Sequence, residues 1–120
     1  MLKHKRLGKT SLQVSEIGLG CWQLGGLVTI GGVTITYGDF NEEDAYKIID
    51  KSLDLGINCF DTADFYSLGG SERRLGKALK EKNKNVKIIL SDPKGSALYN
   101  HIKHGELKIE GKSITEGIGS

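Results

Sequence analysis

Between two helical patterns stands a short apolar run, Ile57-Asn58-Cys59-Phe60, that leads into Asp61-Thr62-Ala63-Asp64-Phe65-Tyr66. An apolar strand flanked by helices reads as the middle of a βαβ arrangement, whose strands pair in parallel. In parallel α/β sheets the chemistry sits beyond the carboxyl ends of the strands. Two carboxylates and a tyrosine therefore fall where a site is expected. The chain has 120 residues, which fits a single small domain.

On either side of this stretch the pattern is regular. Lys3 to Val14 reads as a hairpin turning at Gly8-Lys9-Thr10. Ile17 to Gly20 predicts a first buried strand that ends at Cys21 and Trp22. From Val28 to Tyr37, β-branched residues alternate around Gly31-Gly32, a pair suited to the positive φ of a two-residue turn. That second hairpin is expected as an insert over the strand ends. Asn41 caps the clearest helix, Glu42, Glu43 and Asp44 favour its positive dipole end, and Gly56 closes it. Ala45, Ile48, Ile49, Ser52 and Leu53 share one face and should pack on the sheet. A second helix, Ser71 to Lys82, should bury Leu75, Ala78 and Leu79, and Val86 to Leu90 then reads as a third strand. The order is strand–helix–strand–helix–strand, with right-handed crossovers.

Composition removes several classes of function. With 38% apolar and 27% charged residues the chain is of the soluble globular kind. A net charge of +2 gives no argument for nucleic acid or an anionic membrane. No apolar run approaches the roughly 20 residues of a membrane span, and no signal-peptide pattern opens the chain. Cys21 and Cys59 read as reduced thiols in a core, which points to the cytoplasm. Gly18-x-Gly20 lacks the third glycine of a dinucleotide fingerprint and has no helix behind it. His101 and His104 have no third ligand nearby, so no metal site is expected.

Phe60-Asp61-Thr62-Ala63-Asp64-x-Tyr66, followed by Gly69-Gly70-Ser71-Glu72, resembles the aldo-keto reductases. The likeness begins with Arg6-Leu7-Gly8-Lys9-Thr10 and Val14-Ser15-Glu16-Ile17-Gly18-Leu19-Gly20. It runs through Cys21-Trp22-Gln23-Leu24-Gly25-Gly26 and Leu53-Asp54-Leu55-Gly56-Ile57-Asn58, and fades near Lys82. The resemblance implies a (β/α)₈ barrel, which takes roughly 250 residues, so this chain is expected to form only its opening. It also implies hydride transfer from NADPH to a carbonyl, with a tyrosine delivering the proton. A tyrosine general acid must be tuned far below its free value of about 10, by a nearby cation and a carboxylate relay. The family's pattern carries over to Asp61 and Tyr66 as catalytic residues and to Trp22 as a wall of the substrate pocket. Its lysine falls where this sequence has Ser91-Asp92, a reversed charge, with Lys94 two residues on; its histidine has no counterpart. The loops that grip the cofactor phosphates belong to later barrel strands. NADPH is thus the implied cofactor, and this chain by itself is not expected to bind it.

After Leu90 the sequence is similar to the cysteine synthases, through Val86 to Asn100 and Gly105 to Gly119, with a seam between Leu79 and Asn85. The Schiff-base lysine motif, asparagine loop and glycine-rich phosphate loop of that family are missing, so pyridoxal phosphate is not expected. The resulting expectation is an α/β chain. Residues 1–82 form a partial, barrel-like βαβα unit with an N-terminal hairpin, and residues 83–120 a strand, short helix and irregular tail. By resemblance it is a piece of an oxidoreductase, inactive alone. The alternatives are a structural or chimeric folding module and a fragment of a cysteine synthase. No nucleic acid or membrane partner is expected, and exposed sheet edges suggest self-association.

Overall fold

The structure is a computed structural model and describes residues 2–36, 38–89, 91 and 96–110. It divides into two compact units, Met1–Val86 and Lys87–Ser120.

The first unit opens with an antiparallel hairpin, β1 (His4–Arg6) and β2 (Gln13–Ser15), in which Lys5 faces Val14. Leu7 and Thr10 close its turn, the Leu7 amide donating to Leu12 O at 2.9 Å and the Thr10 amide to Leu7 O at 3.0 Å. β3 (Leu19–Gly20) pairs in parallel with β6 (Phe60–Asp61), Leu19 opposite Phe60 and Gly20 opposite Asp61. Asn58 holds the hairpin to this pair: its Oδ1 accepts the Ser15 amide at 2.7 Å and its Nδ2 donates to Gln13 O at 2.9 Å. A 3-10 turn, Trp22–Gly25, follows β3. The insert hairpin forms as expected from β4 (Thr29–Ile30) and β5 (Val33–Thr34), with φ of +57° at Gly31 and +80° at Gly32. Both turn residues lie where a side chain is strained, which is why the pair is Gly-Gly.

Helix α1 (Glu42–Asp54) starts where the sequence places it, Asn41 Oδ1 accepting the Asp44 amide at 2.8 Å. Ala45, Ile49 and Ser52 are buried, while Ile48 and Leu53 are half-buried at the margin of the same face. Helix α2 (Gly70–Lys82) buries Leu75, Ala78 and Leu79, and starts one residue before the expected Ser71. Together with Cys21 and Leu24 these side chains make the core of the first unit. Seven small or medium apolar residues are deeply buried among the described residues of this unit, a modest core.

Two expectations are corrected. The strand expected over Ile17 to Gly20 is shorter and is not buried: only Leu19–Gly20 is strand, Leu19 is half-buried, and Ile17 and Gly20 are exposed. The third strand does not form over 86–89, where Val86, Ile88 and Ile89 are exposed; Leu90 lies outside the described residues. A strand needs a neighbour for its backbone groups, and these residues are not paired in a sheet. The described parallel sheet thus has two strands and no closed barrel.

In the second unit, α3 (Ala97–His104) is capped by Ser96, whose Oγ accepts the Tyr99 amide at 2.9 Å. Gly105 ends it with φ +79°. Asn100 Nδ2 donates to Lys108 O at 2.7 Å, fastening the residues that follow. Residues 105–110 carry no regular structure, and the tail from 111 onward, with the expected Thr115–Gly119 likeness, lies outside the described residues. No helix among the described residues is long and apolar enough to cross a membrane.

Candidate active site

The site is built at the carboxyl end of the β3–β6 pair, where two chain segments leave the sheet side by side. The ladder continues one step beyond the strands, the Cys21 amide donating to Asp61 O at 2.9 Å. This places Trp22 beside the residues that follow Asp61. The rings of Trp22 and Tyr66 stack, their centroids 5.7 Å apart at an interplanar angle of 18°. The structure therefore brings two of the three residues singled out in the sequence into contact. Asp61 is exposed, paired with Gly20 through the backbone register.

A small hydroxyl network fixes the geometry. Ser71 Oγ, buried at the start of α2, donates to Cys21 O at 2.7 Å and lies 2.9 Å from Thr62 Oγ1. The Ser71 hydroxyl has one proton, which goes to Cys21 O, so Thr62 donates to Ser71. Both strand ends are in this way tied to one helix start. The Cys21 thiol is pushed up to about 12, first by burial and then by the nearby negative charge of Asp61. It is a structural thiol, not a nucleophile.

Between Tyr66 and α2 the chain turns sharply, with φ of +53° at Ser67, +50° at Leu68 and +79° at Gly69. Left-handed backbone at two residues that are not glycine is strained. The turn is held from outside: Ser67, buried, donates through Oγ to Gly26 O at 2.9 Å. Glycine is required where the two segments meet, since a Cβ on Gly25 would lie 2.4 Å from Ser67 Oγ and one on Gly70 2.5 Å from Gly25 O. Arg74 Nη1 donates to Leu24 O and to Phe40 O, both at 2.8 Å. These carbonyls lie before and after the insert hairpin, so one guanidinium fastens both of its feet.

Over Trp22 lies an open cleft of about 420 Å³, lined by Trp22, Thr34, Ile35, Thr36 and Phe65. The sequence reading missed Thr34, Ile35, Thr36 and Phe65, and also the tethers Ser67 and Arg74. The Ser67-Leu68-Gly69-Gly70 run signals a tight turn, and Arg74 interrupts an otherwise apolar helix face; neither names its partner. His101 and His104 lie on α3, where the His104 ring meets Tyr99 edge-on at 6.4 Å. No three His, Cys, Asp or Glu among the described residues come together as a metal site. Asp92, set against the family's lysine, lies outside the described residues.

The parallel strand pair with helices packed beside it is an α/β arrangement, and Trp22 and Tyr66 stack just beyond its carboxyl ends. The sequence profile of the aldo/keto reductase family matches residues 16–108. The chain belongs to that family. It is 32% identical over 111 residues to the aldo-keto reductase YhdN of Bacillus subtilis (strain 168), an alignment covering 88% of this chain and 31% of the relative. Over 82 residues it is 40% identical to the versiconal hemiacetal acetate reductase of Aspergillus parasiticus, covering 68% of this chain and 22% of that protein. The solved structure of the aldo-keto reductase AKR11C1 from Bacillus halodurans, in its holo form, superposes with a TM-score of 0.59 at 32% identity. That superposition covers 82% of this chain and 33% of the other. The chain thus spans a third or less of the length of these relatives. The family match continues to residue 108, beyond the seam expected between Leu79 and Asn85, and the cysteine synthase-like reading gains no support.

Against NADPH, the described lining of the cleft over Trp22 supplies an aromatic surface. None of the five residues lining the cleft carries a charge, and Arg74 directs its Nη1 at two backbone carbonyls. These residues do not fit a dinucleotide with its phosphates.

Proposed function

We propose that this chain carries the proton-donating corner of a carbonyl reductase and is inactive alone. Tyr66 is the general acid towards the carbonyl oxygen, Asp61 the carboxylate of its relay, and Trp22 the wall against which the substrate lies. The observation that carries the reading is the stacking of Tyr66 on Trp22 at the carboxyl end of the parallel pair. General acid catalysis needs the donor fixed within hydrogen-bond reach of the oxygen, and a ring stacked on a neighbour is fixed in plane and height. Among the described residues that line the cleft none is charged, and Asp92, at the position of the family's lysine, and Lys94, two residues on, lie outside the described residues. Two free thiols, Cys21 and Cys59, suit a reducing compartment, and the cytoplasm is the compartment we propose.

The test has two arms. In the chain as it stands, NADPH should leave the fluorescence of Trp22, its only tryptophan, without saturable quenching, and aldehydes should not turn over. Residues Glu16 to Lys82, grafted in place of the matching segment of a full-length relative, should support aldehyde reduction, and Tyr66→Phe in the graft should lower kcat by about 10²–10⁴. Saturable NADPH quenching in the chain itself, lost on Asp61→Asn or Tyr66→Phe, would show that it holds a working site.

A further inference from the structure

We propose that the insert hairpin selects the substrate, its Ile35 and Thr36 recognising a small, uncharged and mostly apolar carbonyl compound. The inference rests on the reading of Tyr66 as proton donor and Trp22 as substrate wall, and adds what faces the cleft beside Trp22. The cleft of about 420 Å³ has two sides: Trp22 and Phe65 from the strand ends, and Thr34, Ile35 and Thr36 from the hairpin. That volume suits a small organic molecule. Trp22 both lines the cleft and stacks on Tyr66, so its indole joins the cleft to the proposed donor.

The hairpin is placed, not loosely draped. Its ladder extends past β5, the Ile35 amide donating to Val28 O at 3.0 Å. Its feet are joined by Arg74, which donates to Leu24 O and Phe40 O, and its leading foot is held again by Ser67 at Gly26 O. A wall fixed at both ends selects by shape and polarity, because it cannot swing away to admit a poor fit.

The wall carries two hydroxyls, and that of Thr34 lies 3.4 Å from Thr29 Oγ1. Thr36 Oγ1 is shielded from solvent and has no hydrogen-bond partner among the described residues. A hydroxyl in that state is a standing cost to the fold unless something pairs with it. One χ1 rotation, between staggered positions of a threonine, turns it to a ligand oxygen in the cleft. None of the described lining residues is charged, so against them an anionic substrate would lose its hydration without gaining a partner.

The experiment is ligand-observed saturation-transfer NMR on the full chain, without cofactor, using cyclohexanone, dihydroxyacetone and pyruvate as probes. Cyclohexanone should bind saturably, and pyruvate at least about tenfold more weakly. Ile35→Asp should weaken cyclohexanone at least about tenfold, while Ile35→Leu keeps its affinity within about twofold. Thr36→Val, which keeps the shape and removes the hydroxyl, should weaken cyclohexanone about threefold or more while raising the thermal midpoint of the free chain. Val33→Asp, on the same hairpin and outside the cleft lining, should leave affinity unchanged. Equal binding of pyruvate, silent Ile35→Asp, or a loss at Val33→Asp as large as at Ile35→Asp would each overturn the proposal. An inactive graft with these ligand effects intact would count against the proton-donor reading alone. An active graft with silent wall variants would count against the hairpin alone.

Discussion

Helices α1 and α3 begin by the same device and are held by different amounts of structure. In the first unit Asn41 accepts the Asp44 amide; in the second Ser96 accepts that of Tyr99. Each has charges of the favourable sign at one end, acidic at the start of α1 and basic at the close of α3. Beneath α1 lie Cys21, Leu24, Leu75, Ala78 and Leu79. In the second unit Ile102, Leu107 and Ile109 are exposed, and the buried described residues are the polar Ser96 and Asn100. End signals decide where a helix starts and stops. Whether it is held depends on what its apolar face covers.

The strongest way to break this contrast is to cut into both faces. Ile49, fully buried in α1, should cost roughly 2–5 kcal/mol on Ile49→Ala, because the site cannot fully collapse. Ile102, 66% exposed in α3, should lose less than about 0.5 kcal/mol on Ile102→Ala. Urea unfolding followed by circular dichroism gives both values. Equal losses would mean that the second unit has an apolar core of its own.

Next in size is the hydroxyl network of the first unit. Ser71→Ala removes the donor to Cys21 O and the acceptor for Thr62, leaving two part-buried polar groups without that partner. A loss of about 1–3 kcal/mol is expected in the same unfolding measurement. If Ser71→Ala were neutral, the strand ends would be held together by the backbone pairing alone.

The caps should then show equal local and unequal global effects. Asn41→Ala and Ser96→Ala each remove an accepted amide bond worth about 1 kcal/mol. In α1 that loss should lower the unfolding midpoint of the packed unit. In α3 it should emerge as amide exchange about fivefold faster across Ala97–His104, without a cooperative transition to shift. A cooperative midpoint shift from Ser96→Ala would erase the distinction between the two units.

What the sequence disclosed and what it withheld divide along the same line. Asn41, the acidic turn after it, the buried face of α1 and the Gly31-Gly32 turn all depend on neighbours within a few residues, and all are legible. Asp61, Tyr66 and Trp22 were legible as a pattern, and the stacking of the last two follows from one parallel pair. Strand length was not legible. Val86 to Ile89 is as apolar as Ile57 to Phe60, yet it has no sheet partner and stays outside any strand. The cleft wall was hidden for a related reason: Arg74 reaches Leu24 over 50 residues and Phe40 over 34. No spacing rule connects an arginine on a helix to the feet of a hairpin so far upstream.

The smallest effect, and the most discriminating, concerns two exposed ion pairs, one in each unit. Lys77 Nζ lies 3.0 Å from Glu42 Oε1 and joins α2 to α1, with the Tyr46 hydroxyl donating to the same carboxylate. Lys108 Nζ lies 3.0 Å from Glu110 Oε1, two residues along the chain. The Glu42 carboxyl is held below its ordinary 4.5, first by the Tyr46 hydrogen bond and then by Lys77. Lys108 holds Glu110 low in the same direction. A carboxylate held low contributes stability that is present above pH 4.5 and fades as pH falls through its folded value. Lys77, held above its ordinary 10.5 first by Glu42 and then by Tyr46, contributes stability that is full below 10.5 and fades as pH rises through its folded value. Unfolding separates Glu42 from Lys77, which are 35 residues apart, but leaves Lys108 and Glu110 close neighbours along the chain. Only the first pair should therefore register in folding. Glu42→Gln should flatten both limbs of the stability–pH curve, below about 4.5 and above about 10.5. Lys77→Met should flatten the alkaline limb with only part of the acid limb, because Tyr46 still holds Glu42, while Glu110→Gln leaves the curve unchanged. Raising salt from about 0.01 to 1 M, which shortens the screening length from about 30 to 3 Å, should shrink the Glu42 effect. An acid limb untouched by Glu42→Gln would show that the Glu42–Lys77 pair adds nothing to the joining of α1 and α2, which would then rest on their apolar faces and the Lys82–Asp50 pair at 3.3 Å.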